Sequence, residues 1–285
     1  MRNTAVLLLS TPIPLARKGA VADITRFLVT HNGSILHADD HLDSGRGMFL
    51  SRLEWDLDGF DIPIANFEEH FKPLAEQYRI EYHLAPTGYC PKVVILVSAY
   101  DHCLADLLYR HSSGELACEV VKIISNHSTA KPLAEFHGVS FHRLSNPQDK
   151  RESEQEMLQL IGQDVDLIVL ARYMQILSPE FVGQYLLRMI NVHHSFLPAF
   201  VGAKPYHQAF ARGVKLIGAT SHYVTATLDE GPIIEHDVVR VSHRDTVEDM
   251  MRKGRDLEKV VLARAVRWHL ENRILVYQNK TAVSR

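Results

Sequence analysis

The chain has 285 residues, 46% hydrophobic and 23% charged, which suffices for one large globular domain or two unequal ones. A formal net charge of -3 gives no electrostatic reason to expect nucleic acid or an anionic membrane as partner, so a small-molecule substrate is the expectation. The three cysteines, Cys90, Cys103 and Cys118, lack C-x-x-C spacing and indicate neither a disulfide framework nor a zinc ribbon.

The elements follow in a definite rhythm. "TAVLLLS" is a short apolar run that reads as a strand, and "LARKGAVADITRFLVTHN" places Val21, Ile24, Phe27 and Leu28 at helical spacing. "SILHADDH" and "GMFLSRLEW" read as strands joined by the glycine-containing "LDSGRG". A helix around "ANFEEHFKPLAEQY" and the alternating "RIEYHL" complete a ferredoxin-like βαββαβ unit over residues 1–84. "APTGYCP" punctuates the chain, giving a linker at 85–91 and a larger domain over 92–285.

In that larger part "KVVILVSAY", "CEVVKIISN", "VSFHRL", "DLIVLAR" and "MINVHH" are apolar or β-branched runs separated by helix-like segments such as "DHCLADLLYRH" and "ESEQEMLQLIG". Near-continuous apolar strands alternating with helices predict an α/β fold with a mostly parallel sheet covered on both faces. "KLIGATSHYV" and "PIIEHDVVRV" add strands, and a helix from about Thr246 to Leu270 opens on a capping box of Thr246 and Asp249. "AVLLL" is too short for a signal-peptide core, and no run reaches the ~20 apolar residues of a membrane span. A soluble, cytoplasmic protein is expected.

In open parallel sheets ligands sit beyond the carboxyl ends of the strands, which directs attention to "INVHHS". In a strand Asn191 and His193 share a face, because side chains alternate with period two. An amide and an imidazole acting on one oxygen suit an acyl group whose carbonyl gains negative charge under attack. Asp229, in a turn ahead of Gly231 and Pro232, is the candidate carboxylate to set the charge of the imidazole or take a proton from water. The seventeen histidines lack the His-x-x-x-His or His-Glu-x-x-His spacing of helical zinc sites, so no metal is expected. The loop after the first strand of the larger domain, "SAYDHCLADLL", has no glycine with which to cradle a phosphate, and Asp101 would repel an anion there.

"INVHHSFLPAFVGAKPYHQAFARGVKLIGATSHYVTATLDEGPIIEHDVVRVSHRDT" resembles the folate-dependent formyltransferase superfamily, which carries an Asn-x-His and a distant aspartate. "SAYDHCLADLLYRHSSGEL", "ISNHSTAKPLAEFHGVSFHRL" and "LARYMQILSPEFV" look specifically like its formyltetrahydrofolate deformylase family, and the likeness covers essentially the whole chain. The resemblance implies an N-terminal domain of ACT type and a larger Rossmann-like domain of the formyltransferase type, acting without metal or retained cofactor. It implies hydrolysis of 10-formyltetrahydrofolate to formate and tetrahydrofolate, with Asn191, His193 and Asp229 catalytic and Met174, Gln175, Ile176 and Leu177 against the pterin.

Formyl transfer to an amine and an inactive folate-binding regulator are the competing readings; the missing glycine loop favours water as acceptor. His194, where transferases commonly have proline, is a candidate modifier of the acceptor side through Lys204 and Tyr206, against the alternative of a packed histidine facing away from Asn191 and His193. ACT-type domains carry an Asp-x-x-Gly loop that helps bind a small effector. Here Gly19 is present but Ala16 stands at the acidic position, so an amino-acid effector or a purely oligomerising role are both open, and a homo-oligomer is expected. Gln278 stands where the family has glycine, in the final turn.

Overall fold

The computed structural model describes residues 3–198 and 205–284. They form two compact units, the first made of the residues up to Tyr89 together with those from Glu271 onward, the second of Cys90–Leu270. In the first unit, β1 (Thr4–Pro12), β2 (Ser34–Asp43), β3 (Met48–Asp56) and β4 (Glu81–Pro86) form an antiparallel sheet in the order β2-β3-β1-β4. Helices Val21–Thr30 and Phe67–Tyr78 lie on one face, preceded at the first helix by a single π-helical turn over Ala16–Ala20. Leu7, Leu9, Leu53 and Trp55 pack there against Ile24, Leu28, Phe67 and Phe71, a ferredoxin-like core. Of the four apolar residues at helical spacing, Ile24 and Leu28 are buried and Phe27 packs partly, but Val21, the first residue of the helix, is exposed.

The second unit is a seven-stranded sheet of β5 (Lys92–Val97), β6 (Glu119–Ser125), β7 (Phe141–Arg143), β8 (Leu167–Leu170), β9 (Met189–His193), β10 (Leu216–Tyr223) and β11 (Ile233–Arg240), in the order β11-β10-β9-β8-β5-β6-β7. From β7 to β9 the neighbours are parallel; β10 and β11 are antiparallel additions at one edge. β8 is buried along its whole length, as an apolar strand covered on both faces must be. Strand connections diverge between β5 and β8, which makes the carboxyl ends of those strands the natural ligand crevice. Helix Val247–Leu270 closes the unit, and its capping box forms: the Asp249 N–H donates to Thr246 Oγ1 at 3.1 Å while the Thr246 N–H donates to Asp249 Oδ2 at 3.1 Å.

The final segment departs from the expected span of 92–285 for the larger domain, which instead ends at Leu270. β12 (Ile274–Tyr277) and β13 (Lys280–Val283) form a hairpin whose Leu275 and Tyr277 pack on Val6, Leu8 and Leu50, the side of the first sheet away from its helices. Burial drives this: β1 is apolar on both faces and needs a second cover. Gln278, in the hairpin turn, adopts φ 53°, which accounts for the glycine expected there, and it accepts a hydrogen bond from Arg46 at 2.5 Å. The expected linker begins within β4, since Ala85 and Pro86 pair with Val6 and Ala5. Among the described residues no helix is long and apolar enough to cross a membrane.

Candidate active site

β9 ends where its parallel neighbour β8 gives way to an exposed loop, and Asn191 and His193 lie at that end. On its other side β9 pairs antiparallel with β10 in a register that sets Asn191 opposite His222 and His193 opposite Thr220. Directly opposed residues share a face, so Asn191, His193 and His222 are gathered by register alone. Thr220 fixes the turn that follows β9: its hydroxyl donates to the Ser195 carbonyl at 2.8 Å and accepts from the Leu197 N–H at 3.1 Å.

Asp229 reaches the same place from the loop between β10 and β11, in a left-handed conformation of φ 57°. The loop is pressed onto β10 at Gly231, where a Cβ would collide with the Tyr223 carbonyl oxygen, and the Tyr223 N–H donates to the Pro232 carbonyl at 3.0 Å. His193 Nδ1 lies 3.2 Å from Asp229 Oδ2, and His222 Nε2 lies 3.6 Å from Asp229 Oδ1. Burial works against charge on Asp229, but the hydrogen bond from His193 and the closeness of the His222 ring outweigh it and hold the carboxyl well below the usual range. Asp229 is thus an ionised, buried acceptor that fixes the Nδ1–H tautomer of His193. The opposite ring nitrogen, His193 Nε2, is buried and has no partner among the described residues, which leaves it free for a ligand.

His222 has a part that sequence reasoning gave it no reason to hold. Its Nδ1 is 2.9 Å from the Tyr223 carbonyl and so carries a proton, leaving Nε2 to accept from the Asn191 amide at 3.2 Å. The amide is therefore aimed with its second N–H free. The same Nε2 lies 3.6 Å from Asp229 Oδ1, so the ring stands between the amide and the carboxylate. Only the β9–β10 register reveals this; the lone histidine in "GATSHYV" carries no such mark.

His194 is neither out of the site nor in its first rank. Its ring stacks on His193 with centroids 5.1 Å apart and lies 5.9 Å from Tyr206. Burial, then the nearby Arg172 guanidinium, lower it to about 4, so it is neutral at physiological pH. Lys204, the other expected partner, lies outside the described residues. Met174, Gln175, Ile176 and Leu177 form the loop after β8, with Met174 52% and Ile176 61% exposed: apolar side chains left uncovered beside the strand end that carries Asn191.

A second buried group stands beyond His194. Glu258, 1% exposed, lies 2.8 Å from His102 Nε2 and 3.4 Å from Arg172 Nε, and accepts from the Tyr206 hydroxyl at 2.9 Å. His102, Cys103 and Glu258 bring metal-ligand atoms within 4.8 Å of one another. The Arg172 cation already compensates Glu258, and burial pushes the Cys103 thiol well above its ordinary value, so the donor set suits an internal ion pair better than a metal.

An Asn-x-His at a central strand end, facing a loop aspartate on a mostly parallel sheet with two antiparallel edge strands, defines a formyltransferase-type protein, and residues 91–266 match the family described as formyl transferase. The chain is 52% identical over 286 residues to the formyltetrahydrofolate deformylase of Synechocystis sp., covering 99% of both proteins. The crystal structure of a formyltetrahydrofolate deformylase from Pseudomonas syringae superposes with a TM-score of 0.94 at 48% identity, over 99% of this chain and 95% of that one. A glycinamide ribonucleotide transformylase from Symbiobacterium toebii matches 70% of this chain and 97% of its own, at 30% identity and a TM-score of 0.64. The chain belongs to the formyltetrahydrofolate deformylase family.

Proposed function

We propose that the chain hydrolyses 10-formyltetrahydrofolate to formate and tetrahydrofolate in one-carbon metabolism, with Asn191, His193 and Asp229 as the catalytic residues. The observation that carries this reading is the unpartnered Nε2 of His193 beside the free N–H of Asn191, with an ionised Asp229 behind the ring. The Asn191 N–H suits the oxyanion of a tetrahedral intermediate, and His193 Nε2, an acceptor until it takes a proton, becomes a second donor beside it once the ring is protonated. Water attacks the formyl carbon, its proton passing to the Asp229–His193 pair, while Asn191 and protonated His193 hold the oxyanion. The C–N10 bond then breaks, N10 takes the proton back, and formic acid leaves as formate.

Met174, Gln175, Ile176 and Leu177 would cover the pterin, whose flat ring face suits the exposed Met174 and Ile176. Water rather than an amine is favoured as acceptor because Asp101, not a glycine turn, caps the helix His102–Ser112. These steps need no metal or further cofactor. The first unit is read as an ACT-type domain that binds an amino-acid effector or joins subunits of a homo-oligomer; calorimetry with glycine and methionine tests the former. Incubating the chain with 10-formyltetrahydrofolate, with and without amines, and following formate and tetrahydrofolate tests the activity. Stoichiometric formate is expected; tetrahydrofolate formed only with an amine and without formate would mean transfer, and neither product would leave the non-catalytic reading.

A further inference from the structure

The crevice between the ends of β5 and β8, where a sheet of this topology takes ligands, is filled with the chain's own charges. Arg172 follows β8, His102 follows β5, and both meet Glu258, which enters from helix Val247–Leu270 and also accepts from Tyr206. The two strand ends are tied together as well: the Ser98 N–H donates to the Arg172 carbonyl at 3.3 Å and the Met174 N–H to Ser98 Oγ at 3.0 Å. Two features show that the cluster is built rather than incidental. Arg172 holds φ 63°, a backbone that residues with a Cβ rarely adopt. Gly254 leaves room for the Tyr206 ring, with which a Cβ would collide, so the helix surrenders a side chain to let Tyr206 reach Glu258. Among the described residues the buried Nε and Nη1 of Arg172 make no hydrogen bond, so charge holds it on Glu258 and the Tyr100 ring, 5.8 Å from its guanidinium carbon, backs it.

The cluster adjoins the reactive end of the site, because Tyr206 packs on His194 and His194 on His193. We propose that Arg172, with Glu258, His102 and Tyr206, is a specificity device: an internal ion-pair plug on the acceptor side of the site that leaves room for water and excludes an amine. This rests on the hydrolytic reading and names what makes the chemistry hydrolytic. The framework itself does not dictate water, since a glycinamide ribonucleotide transformylase shares it. With the plug open, an amine nitrogen attacks the formyl carbon in place of water, the C–N10 bond breaks, the amine gives up one proton and N10 takes one.

The test uses the full chain with 10-formyltetrahydrofolate and glycinamide, quantifying formylglycinamide against formate by mass spectrometry. Arg172→Gly suits the left-handed backbone and removes the plug; Arg172→Lys keeps its charge. Wild type and Arg172→Lys are expected to give formate, and Arg172→Gly to raise the ratio of formylglycinamide to formate by about tenfold or more while formate release persists. His102→Ala, which withdraws a different partner of Glu258, is read by the same ratio and stands in if Arg172→Gly fails to fold. A product ratio does not respond to general loss of activity. An unchanged ratio in whichever variant folds overturns the plug alone, whereas a wild type that releases no formate overturns the hydrolytic reading and the plug with it.

Discussion

Replacing His194 by phenylalanine keeps a ring between His193 and Tyr206 but removes a group that titrates. In the folded chain His194 stands at about 4 against an ordinary 6.5, lowered by burial and by Arg172. As the pH falls below 6.5 the unfolded chain takes up a proton there that the folded chain refuses. The stabilising contribution is therefore complete above pH 6.5 and drains away as pH falls toward 4. A separation of about 2.5 pH units corresponds to about 3 kcal/mol over the whole window, of which about 2 kcal/mol is gone by pH 5.

Urea denaturation at pH 7 and pH 5 measures this, read from Trp268, the tryptophan of the larger unit, in a Trp55→Phe background. The parent should lose about 2 kcal/mol more than His194→Phe between the two pH values. Equal losses would mean that His194 titrates in the folded chain as it does in the unfolded one, and the account of a neutral, buried ring would be wrong.

Asp229→Asn should lower kcat for formate release by about 10²–10⁴-fold with the thermal unfolding profile retained, and Asn191→Ala by about 10²–10³-fold. His222→Phe frees the Asn191 amide and removes one partner of Asp229; the expected cost is about 10–100-fold in kcat with little change in KM, the worth of a hydrogen bond to a charged or aligned group. Gln278→Gly relieves the left-handed turn of the terminal hairpin and should stabilise the first unit by about 1 kcal/mol, read as a shift in the urea midpoint at Trp55; a loss would mean that the Arg46 bond outweighs the strain.

Much of this site was legible in the sequence, and the limits have physical causes. Asn191 and His193 could be paired because a strand repeats every two residues, and Asp229 because Gly231 and Pro232 mark a turn. His222 could not, since its link to Asn191 is a cross-strand register that depends on β10 running antiparallel to β9. Glu258 is one charge among many in a long helix, and its burial follows from Arg172 and His102 arriving from distant strand ends. Gly254, four residues earlier and on the same helix face, was the one local sign of a close approach there. The terminal hairpin was missed for a related reason. The unbroken apolar run of β1 called for cover on both faces, but which segment supplies it is a matter of long-range packing.

That hairpin gives the chain an unusual order of completion. Residues up to Tyr89 are synthesised before the larger unit, yet Val6, Leu8 and Leu50 meet Leu275 and Tyr277 only once the larger unit has been made. The first unit to begin folding is the last to finish. During synthesis it therefore exposes a greasy sheet face to chaperones and to neighbouring chains, and a lesion near the C-terminus would be felt as a defect in the N-terminal unit.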